Sequence, residues 1–453
     1  MNELDILLIS TPSPNPGLMI GFEYQGMPPL GLGYLATYLK EEGYSVKIID
    51  LSFRDNNIET IMSVLKNNPT RIIGFSCTTE TYKTGVRLAG LIKKAYSNSL
   101  VVFGGPHVSF EYESALNTDI IDYVVLSEGE NSLKQLCDYC IKGKGTLEDV
   151  KGIAYKKDGI VYCTEPQPFI MDLDTLPFPD RTLFQDFSEY AHPATILTSR
   201  GCPGKCIFCA ASVLSGGKYR MRSAKNIVSE FEYLKSLGFT HVDIIDDTMT
   251  ANTKRLNECL DELIVRNLQM TWYCESRVDV MSKTILEKMK TAGLSIIQFG
   301  VESGSQKILD SIKKNITLEQ IHNVFQWCRE LKITASTNMI IGQPSDDLGT
   351  VNDSFLLAQR IASLGASVNF TVCTPFPGTP IWEEPENFGI SFVEHDLDKY
   401  STFYPVINTR HLNANDIRNA YYDTVVALQK LQPNNLSPSL KKYIRRVDAF
   451  QLK

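Results

Sequence analysis

The stretch ATILTSRGCPGKCIFC, Ala194 to Cys209, decides how the chain is read. Its first half, ATILTSR, is a short, partly β-branched apolar run of the kind that forms a strand. Its second half sets Cys202, Cys206 and Cys209 within eight residues, spaced CxxxCxxC, just past that strand. Structural zinc takes four closed ligands, usually in two knuckles, and the nearest histidine, His192, lies ten residues before the first cysteine, across the strand. An iron-sulfur cluster held by three cysteines leaves one iron without a protein ligand, a chemical site as well as an electron carrier. Zinc and unrelated core or reactive thiols stay as alternatives to that reading.

Downstream of the cysteines, strand candidates HVDIIDD, TWYCESR, IIQFGVE, ITASTNMII and SVNFTVC follow ATILTSR with helices between them, such as 282–292 and 318–331. Six repeated units predict a partial (β/α)6 TIM barrel whose function lies at the carboxyl ends of its strands. Upstream, LDILLIS, SVKIID, RIIGFS, LVVFGG and YVVLSE are apolar on both faces, as buried parallel strands are. They predict an α/β fold that begins with a doubly wound, Rossmann-like parallel sheet, whose ligand sits beyond the strand ends. Gly, Pro and Asp-rich text then breaks the pattern. The expected domains are 1–143, a hairpin and linker at 144–190, the barrel at 191–380, and a small helical region at 381–453 that caps the substrate.

Composition narrows the function. With 453 residues, 43% hydrophobic and 21% charged, the chain can bury more than one core. A net charge of -7 provides no basic field for nucleic acid or an anionic membrane. The acidic start MNELDILLISTP lacks the basic, long apolar pattern of a signal peptide, and eleven cysteines, an odd number, suit reduced thiols. A cytoplasmic protein is expected.

CxxxCxxC after the first strand of a partial barrel, with Phe208 just before the last cysteine, resembles the radical S-adenosylmethionine (SAM) superfamily. The resemblance implies a [4Fe-4S] cluster on Cys202, Cys206 and Cys209, whose open iron is chelated by SAM, and an electron that cleaves SAM to a 5'-deoxyadenosyl radical. It also implies an electron donor such as flavodoxin or ferredoxin. Further text fits at successive strand ends: Asp246 and Asp247 suit the SAM ammonium, Arg277 its carboxylate, and Glu302 with Ser303 the ribose hydroxyls. Each has a plainer reading, since acidic strand ends cap helices and Arg277 can pair with Glu275 or Asp279. In KYRMRS, Lys218 to Ser223, the arginines are as well explained by structure and Ser223 by a helix cap.

The upstream half, from PPLGLGYLATYL through IIGFSCTTETYKTG, VVFGGPHVSFEYESAL and IDYVVLSEGE to LPFPDR, resembles the cobalamin-binding domain of cobalamin-dependent radical SAM enzymes, and the whole resemblance covers about 4–380. It implies cobalamin contacts from Ser76, Thr78, Thr79, Gly104, Gly105, His107, Glu128, Gly129 and Glu130. Short hydroxyls and bare glycine backbone suit a large ring system. Many cobalamin proteins offer cobalt a histidine in DxHxxG after the first strand, and the corresponding loop here has none. GLGYLA, Gly31 to Ala36, matches a dinucleotide fingerprint only loosely, since it opens a helix far from the first strand.

Other features are read as structure. CDYC, Cys137 to Cys140, falls inside a helix, and Cys77, Cys163, Cys259, Cys274, Cys328 and Cys373 are expected in cores. Tyr400, Phe403, Tyr404, Tyr421 and Tyr422 are expected as core more than as pocket. The function expected is a cobalamin-dependent radical SAM methyltransferase acting on an unactivated carbon of a small molecule or peptide. One SAM would methylate cob(I)alamin and a second would yield the radical that activates the substrate. A non-methylating cyclisation, ring contraction or oxidation is the alternative. A methylthiotransferase would need a second cysteine cluster upstream, and a metal-stabilised interaction module would carry zinc.

Overall fold

The computed structural model describes residues 4–14, 26–52, 58–184, 187 and 190–431. They divide into two compact units, with Pro193 closing the first and Ala194 opening the second.

In the first unit β1 (Leu4–Ser10), β2 (Val46–Asp50), β3 (Thr70–Ser76), β4 (Leu100–Gly104) and β5 (Tyr123–Val125) pair in parallel in the order β2-β1-β3-β4-β5. Their central residues, among them Ile6, Leu8, Ile72, Ile73, Val101 and Phe103, are buried, because helices cover both sheet faces. The order reverses at β1 and β3, so a crevice opens beyond the ends of those strands. A hairpin, β6 (Ile153–Lys157) and β7 (Ile160–Cys163), turns through Asp158 and Gly159, both at positive φ, and continues the same sheet antiparallel to β5. The expectation set it apart with the linker. A lone hairpin buries too little to persist, and Ile153 and Tyr155 bury themselves in the first core. Cys163, expected in a core, ends the outermost strand and is exposed. Gly33 of GLGYLA serves packing, since a side chain there would strike the Phe184 ring.

In the second unit β8 (Thr195–Ile196) is followed by the short antiparallel pair β9 (Ser199–Arg200) and β10 (Arg220–Met221). Then come β11 (His241–Ile244), β12 (Thr271–Ser276), β13 (Leu294–Glu302), β14 (Thr334–Ile341) and β15 (Ser367–Val372). Six strands, β8-β11-β12-β13-β14-β15, pair in parallel in sequential order, the arrangement of a partial barrel. Side chains alternate across such strands. Trp272, Cys274, Ile297, Phe299, Met339 and Phe370 enter the core beneath the helices. The other face carries Tyr273, Glu275, Gln298, Ser336, Asn338 and Asn369, so the inner surface of this barrel is polar where a closed eight-stranded barrel packs apolar layers.

The tail departs from a purely helical cap. Residues 380–408 form short turns of helix and a two-stranded pair, β16 (Ser391–Phe392) with β17 (Ile407–Asn408), before the long helix Ala414–Leu431. That helix buries Ile417, Tyr421 and Leu428 in the core outside the sheet, as an amphipathic stripe must. It braces β14, β15 and the helix Leu348–Ser363. The tail segment that reaches the cysteine loop is the earlier one, where Ile381, Tyr400 and Val406 share a small core with Ile207. Backbone of the same segment lies along β15, with Val372 N–H donating to Thr402 O at 2.7 Å. Of the tail aromatics, Tyr400 and Tyr421 are buried and Tyr404 is exposed.

Candidate cluster and cofactor sites

The cysteine loop is held from below by polar anchors. Thr198 and Ser199, just before it, direct their hydroxyls to the buried carboxylate of Asp246, which also accepts the Thr198 N–H. Arg255 donates to Thr198 O and Oγ1, while Arg222 donates to Leu197 O at 2.7 Å and pairs with buried Glu230. Gly201 then turns the chain at φ +85°, in a space where a Cβ would stand 2.3 Å from Lys218 O. Cys209 N–H donates to Cys206 O at 3.2 Å, curling the loop, and the Cys202 and Cys206 thiols both lie beside Gly204. Burial raises the Cys206 thiol and pushes Cys209 up to about 12, so their thiolates call for a cationic partner. Phe208, half-buried, packs toward the small core behind the loop.

Strand ends bring the remaining residues to this loop. Asp246 spends its oxygens on the anchor, whereas its neighbour Asp247 is reached by solvent although protein surrounds most of its carboxylate. That setting and the Asp246 charge both raise its pKa, and the Gly201 backbone partly offsets them. Arg277, beyond β12, makes a two-pronged pair with Asp279 at 2.9 Å and donates to Lys314 O at 2.7 Å. Its Nη1 faces the loop, 3.6 Å from where a Gly204 Cβ would stand. Glu302 ends β13 at φ +71°, where the register slips between Gly300 and Glu302, and its Oε1 accepts from Lys314 Nζ at 2.7 Å. Ser303 is turned into the fold, sharing its hydroxyl with Ser354 and accepting from Ser305 N–H.

Sequence reasoning passed over Lys314 and took Glu275 only as a possible partner of Arg277, which pairs with Asp279 instead. Lys314 leaves no signal beyond its place in SIKKN after a short helix. Glu275 sits in the strand text TWYCESR, where alternation alone puts it on the same face as Tyr273 and Arg277. Its pKa is raised by burial, against the Tyr273 hydrogen bond at 3.2 Å and with help from the Glu302 and Asp247 charges.

These residues fit a [4Fe-4S] cluster with SAM. A side chain at Gly204 would stand 3.3 Å from Cys202 Sγ and 3.9 Å from Cys206 Sγ, so glycine clears the space in front of the thiols. Among the described residues no three His, Cys, Asp or Glu side chains converge on one ion, and a cubane that gives each thiolate its own iron asks for wider spacing than that.

In the first unit, the sequence-expected residues collect at the ends of β3, β4 and β5. Gly105, at φ +99°, crosses so close to β3 that a Cβ would stand 2.7 Å from Cys77 O and 3.3 Å from Ser76 Oγ. The Cβ positions of Gly104 and Gly105 both point at protein, so the glycines let β4 pass close to β3 and β5. With half-buried Ser76 and exposed Thr78 beside them they form a strand-end cradle free of bulky side chains, suited to a flat macrocycle. Thr79 and His107 lie deeper: both are buried, 3.3 Å apart, and the imidazole rests against the Tyr82 ring. Burial lowers His107 to about 4, so it is neutral. Glu128 accepts Ile170 N–H at 3.0 Å, and Gly129 opens the helix Gly129–Cys140, whose first turn buries Glu130. The histidine-free loop after β1 lies largely outside the described residues.

A sheet that presents a bare strand-end cradle, followed by a partial barrel that presents three thiols, an arginine and two carboxylates, defines the class of B12-binding radical SAM proteins. The B12 binding domain family matches residues 23–137 and the Radical SAM superfamily residues 196–358. An uncharacterized methyltransferase of Pyrococcus horikoshii is 32% identical over 86% of this chain and 85% of its own length. The anaerobic magnesium-protoporphyrin IX monomethyl ester cyclase of Rubrivivax gelatinosus is 28% identical over 84% of this chain and 70% of its own. Among solved structures, the radical SAM methyltransferase TsrM of Kitasatospora setae, with cobalamin and a [4Fe-4S] cluster bound, matches with a TM-score of 0.73 at 17% identity, over 95% of this chain and 89% of that one. The chain belongs to the cobalamin-dependent radical SAM methyltransferase family, and its cofactors are cobalamin, a [4Fe-4S] cluster and SAM.

Proposed function

We propose that this enzyme, a cobalamin-dependent radical SAM methyltransferase, methylates an unactivated carbon of a small-molecule or peptide substrate in the cytoplasm, with a flavodoxin or ferredoxin as electron donor. Among the described residues no helix is long and apolar enough to cross a membrane. The observation that carries the reading is the joining, on one chain, of the glycine cradle in the first unit and the thiol, guanidinium and carboxylate set in the second. When bound, the cluster supplies the electron that cleaves SAM and cobalamin supplies the methyl carrier.

The chain's own groups bind and orient. Cys202, Cys206 and Cys209 hold the cluster, and Arg277, fixed by Asp279, offers Nη1 to the carboxylate of SAM. Asp247, which already takes the Gly201 N–H, is the acceptor left for the ammonium once Asp246 is occupied by Thr198 and Ser199. Glu302, pinned through one oxygen by Lys314, turns its other oxygen to a hydroxyl. The polar barrel face from Glu275 to Asn369 then receives the rest of the ligands.

Anaerobic reconstitution tests the reading. The protein should bind cobalamin, carry four irons per chain, and with its substrate release S-adenosylhomocysteine together with 5'-deoxyadenosine. Absence of cobalamin binding would overturn it. The Rubrivivax relative, a cyclase by name, favours the second reading, a non-methylating radical reaction. Release of 5'-deoxyadenosine alone would select that reaction.

A further inference from the structure

Three parts of the second-unit site converge on one turn. The helix Gln306–Ser311 ends in Ile312, and the next residues reverse through two left-handed positions, Lys313 and Asn315, both at φ +55°. Left-handed backbone at two non-glycine residues is a strained conformation that surrounding contacts must hold. Between them sits Lys314, buried, with 7% of its surface exposed.

Each group of the turn has a target. Ile312 O accepts Ile207 N–H at 3.2 Å, tying the cysteine loop down between Cys206 and Cys209. Lys314 O accepts Arg277 Nη2 at 2.7 Å, and this aims the guanidinium. Lys314 Nζ donates to Glu302 Oε1 at 2.7 Å, with Glu302 itself at positive φ on a register slip. The strand leaves room for this pair: a Cβ on Gly300 would stand 2.6 Å from Glu302 Oε1 and 2.7 Å from Lys314 Nζ. Burial opposes the Lys314 charge, but Glu302 and the nearby Cys206 outweigh it, so the ammonium persists.

We propose that Lys314 is a positioning residue: it orients Glu302 toward SAM and places a fixed positive charge beside the Cys206 side of the cluster. The proposal rests on the reading of Cys202 to Cys209 as the cluster loop and of Glu302 as a SAM contact. A buried lysine without a ligand-facing role is better replaced by an apolar side chain, because an ion pair in a dry interior barely repays its desolvation. Here the pair instead lies between a cluster ligand and a strand end that faces the cofactor.

The test uses full-length protein with reconstituted cluster and no methylation substrate. SAM is titrated while the paramagnetic resonance of the reduced cluster is recorded, and the cluster's midpoint potential is measured. In Lys314→Met the SAM dissociation constant should rise on the order of 10- to 100-fold, the usual cost of removing an orienting partner. The potential should move to more negative values, since a lost cation makes reduction harder. The double variant Lys314→Met with Glu302→Gln leaves no unpaired buried charge and keeps the fold within reach. It should bind SAM no more weakly than Glu302→Gln alone, because the lysine acts through the glutamate.

Wild-type affinity and potential in Lys314→Met overturn the proposal, as do additive losses in the double variant. Should Lys314→Met fail to fold, a double variant with wild-type affinity and potential overturns it equally. A wild-type cluster whose spectrum SAM leaves unchanged overturns the reading of the site itself, and the lysine's role falls with it.

Discussion

His107 shows how burial sets one residue's behaviour. Its folded pKa of about 4 lies below the ordinary imidazole value, so the unfolded chain takes up a proton that the folded chain refuses. Stability from this site is therefore complete above about pH 6.5 and declines as the pH falls toward 4, by about 3 kcal/mol at most. Scanning calorimetry at pH 7 and pH 5 should show the wild type losing more stability than His107→Gln, which cannot titrate. An equal loss in both would remove the imidazole from the account. The same burial answers a question about cobalt. His107 is committed to Thr79 and Tyr82, and the loop after β1 contains no histidine, so the imidazole at these strand ends is already engaged and that loop supplies no second one.

At the scale of elements, the anchors beneath the cysteine loop are the part most exposed to mutation. Arg222 and Glu230 are both buried and paired, and Arg222 also holds Leu197 O on the strand that delivers the cysteines. Glu230→Ala leaves a buried guanidinium without its counter-charge, an effect of about 3–5 kcal/mol. Chemical denaturation should register that loss, and iron incorporation during reconstitution should fall with it. Normal stability and full iron content would show that the pair is dispensable. Strand text and the CxxxCxxC spacing were legible in the sequence because both are local patterns. Asp246 was read as a ligand contact, yet its oxygens go to Thr198 and Ser199, 48 and 47 residues away, and no local pattern carries that. Lys314 escaped for the same reason: its meaning comes from Glu302 and Gly300 on a strand, not from its neighbours in SIKKN.

At the scale of the whole molecule, the order of the two halves was the legible part, since apolar runs on both faces mark buried parallel sheets wherever they occur. What each half adds to its sheet was not: the hairpin β6–β7 extends the first, and the tail braces the second, through long-range pairing with no signature in composition. The loop after β1 has no histidine in its sequence and His107 is committed to Thr79 and Tyr82, so a cofactor bound with its own base displaced gives one prediction. Cob(II)alamin bound to the enzyme should show no nitrogen splitting in its paramagnetic resonance. A resolved splitting would mean that an imidazole, from the protein or the cofactor, reaches the metal.

An open sheet also has two free borders, each a row of unpaired amides that another chain could copy. At one border β8 contributes only two residues, too few to template a neighbour. At the other, Val372 N–H is already spent on Thr402. The barrel sheet can thus stay unclosed on its polar inner face while one border is short and the other is partly occupied by the chain's own tail.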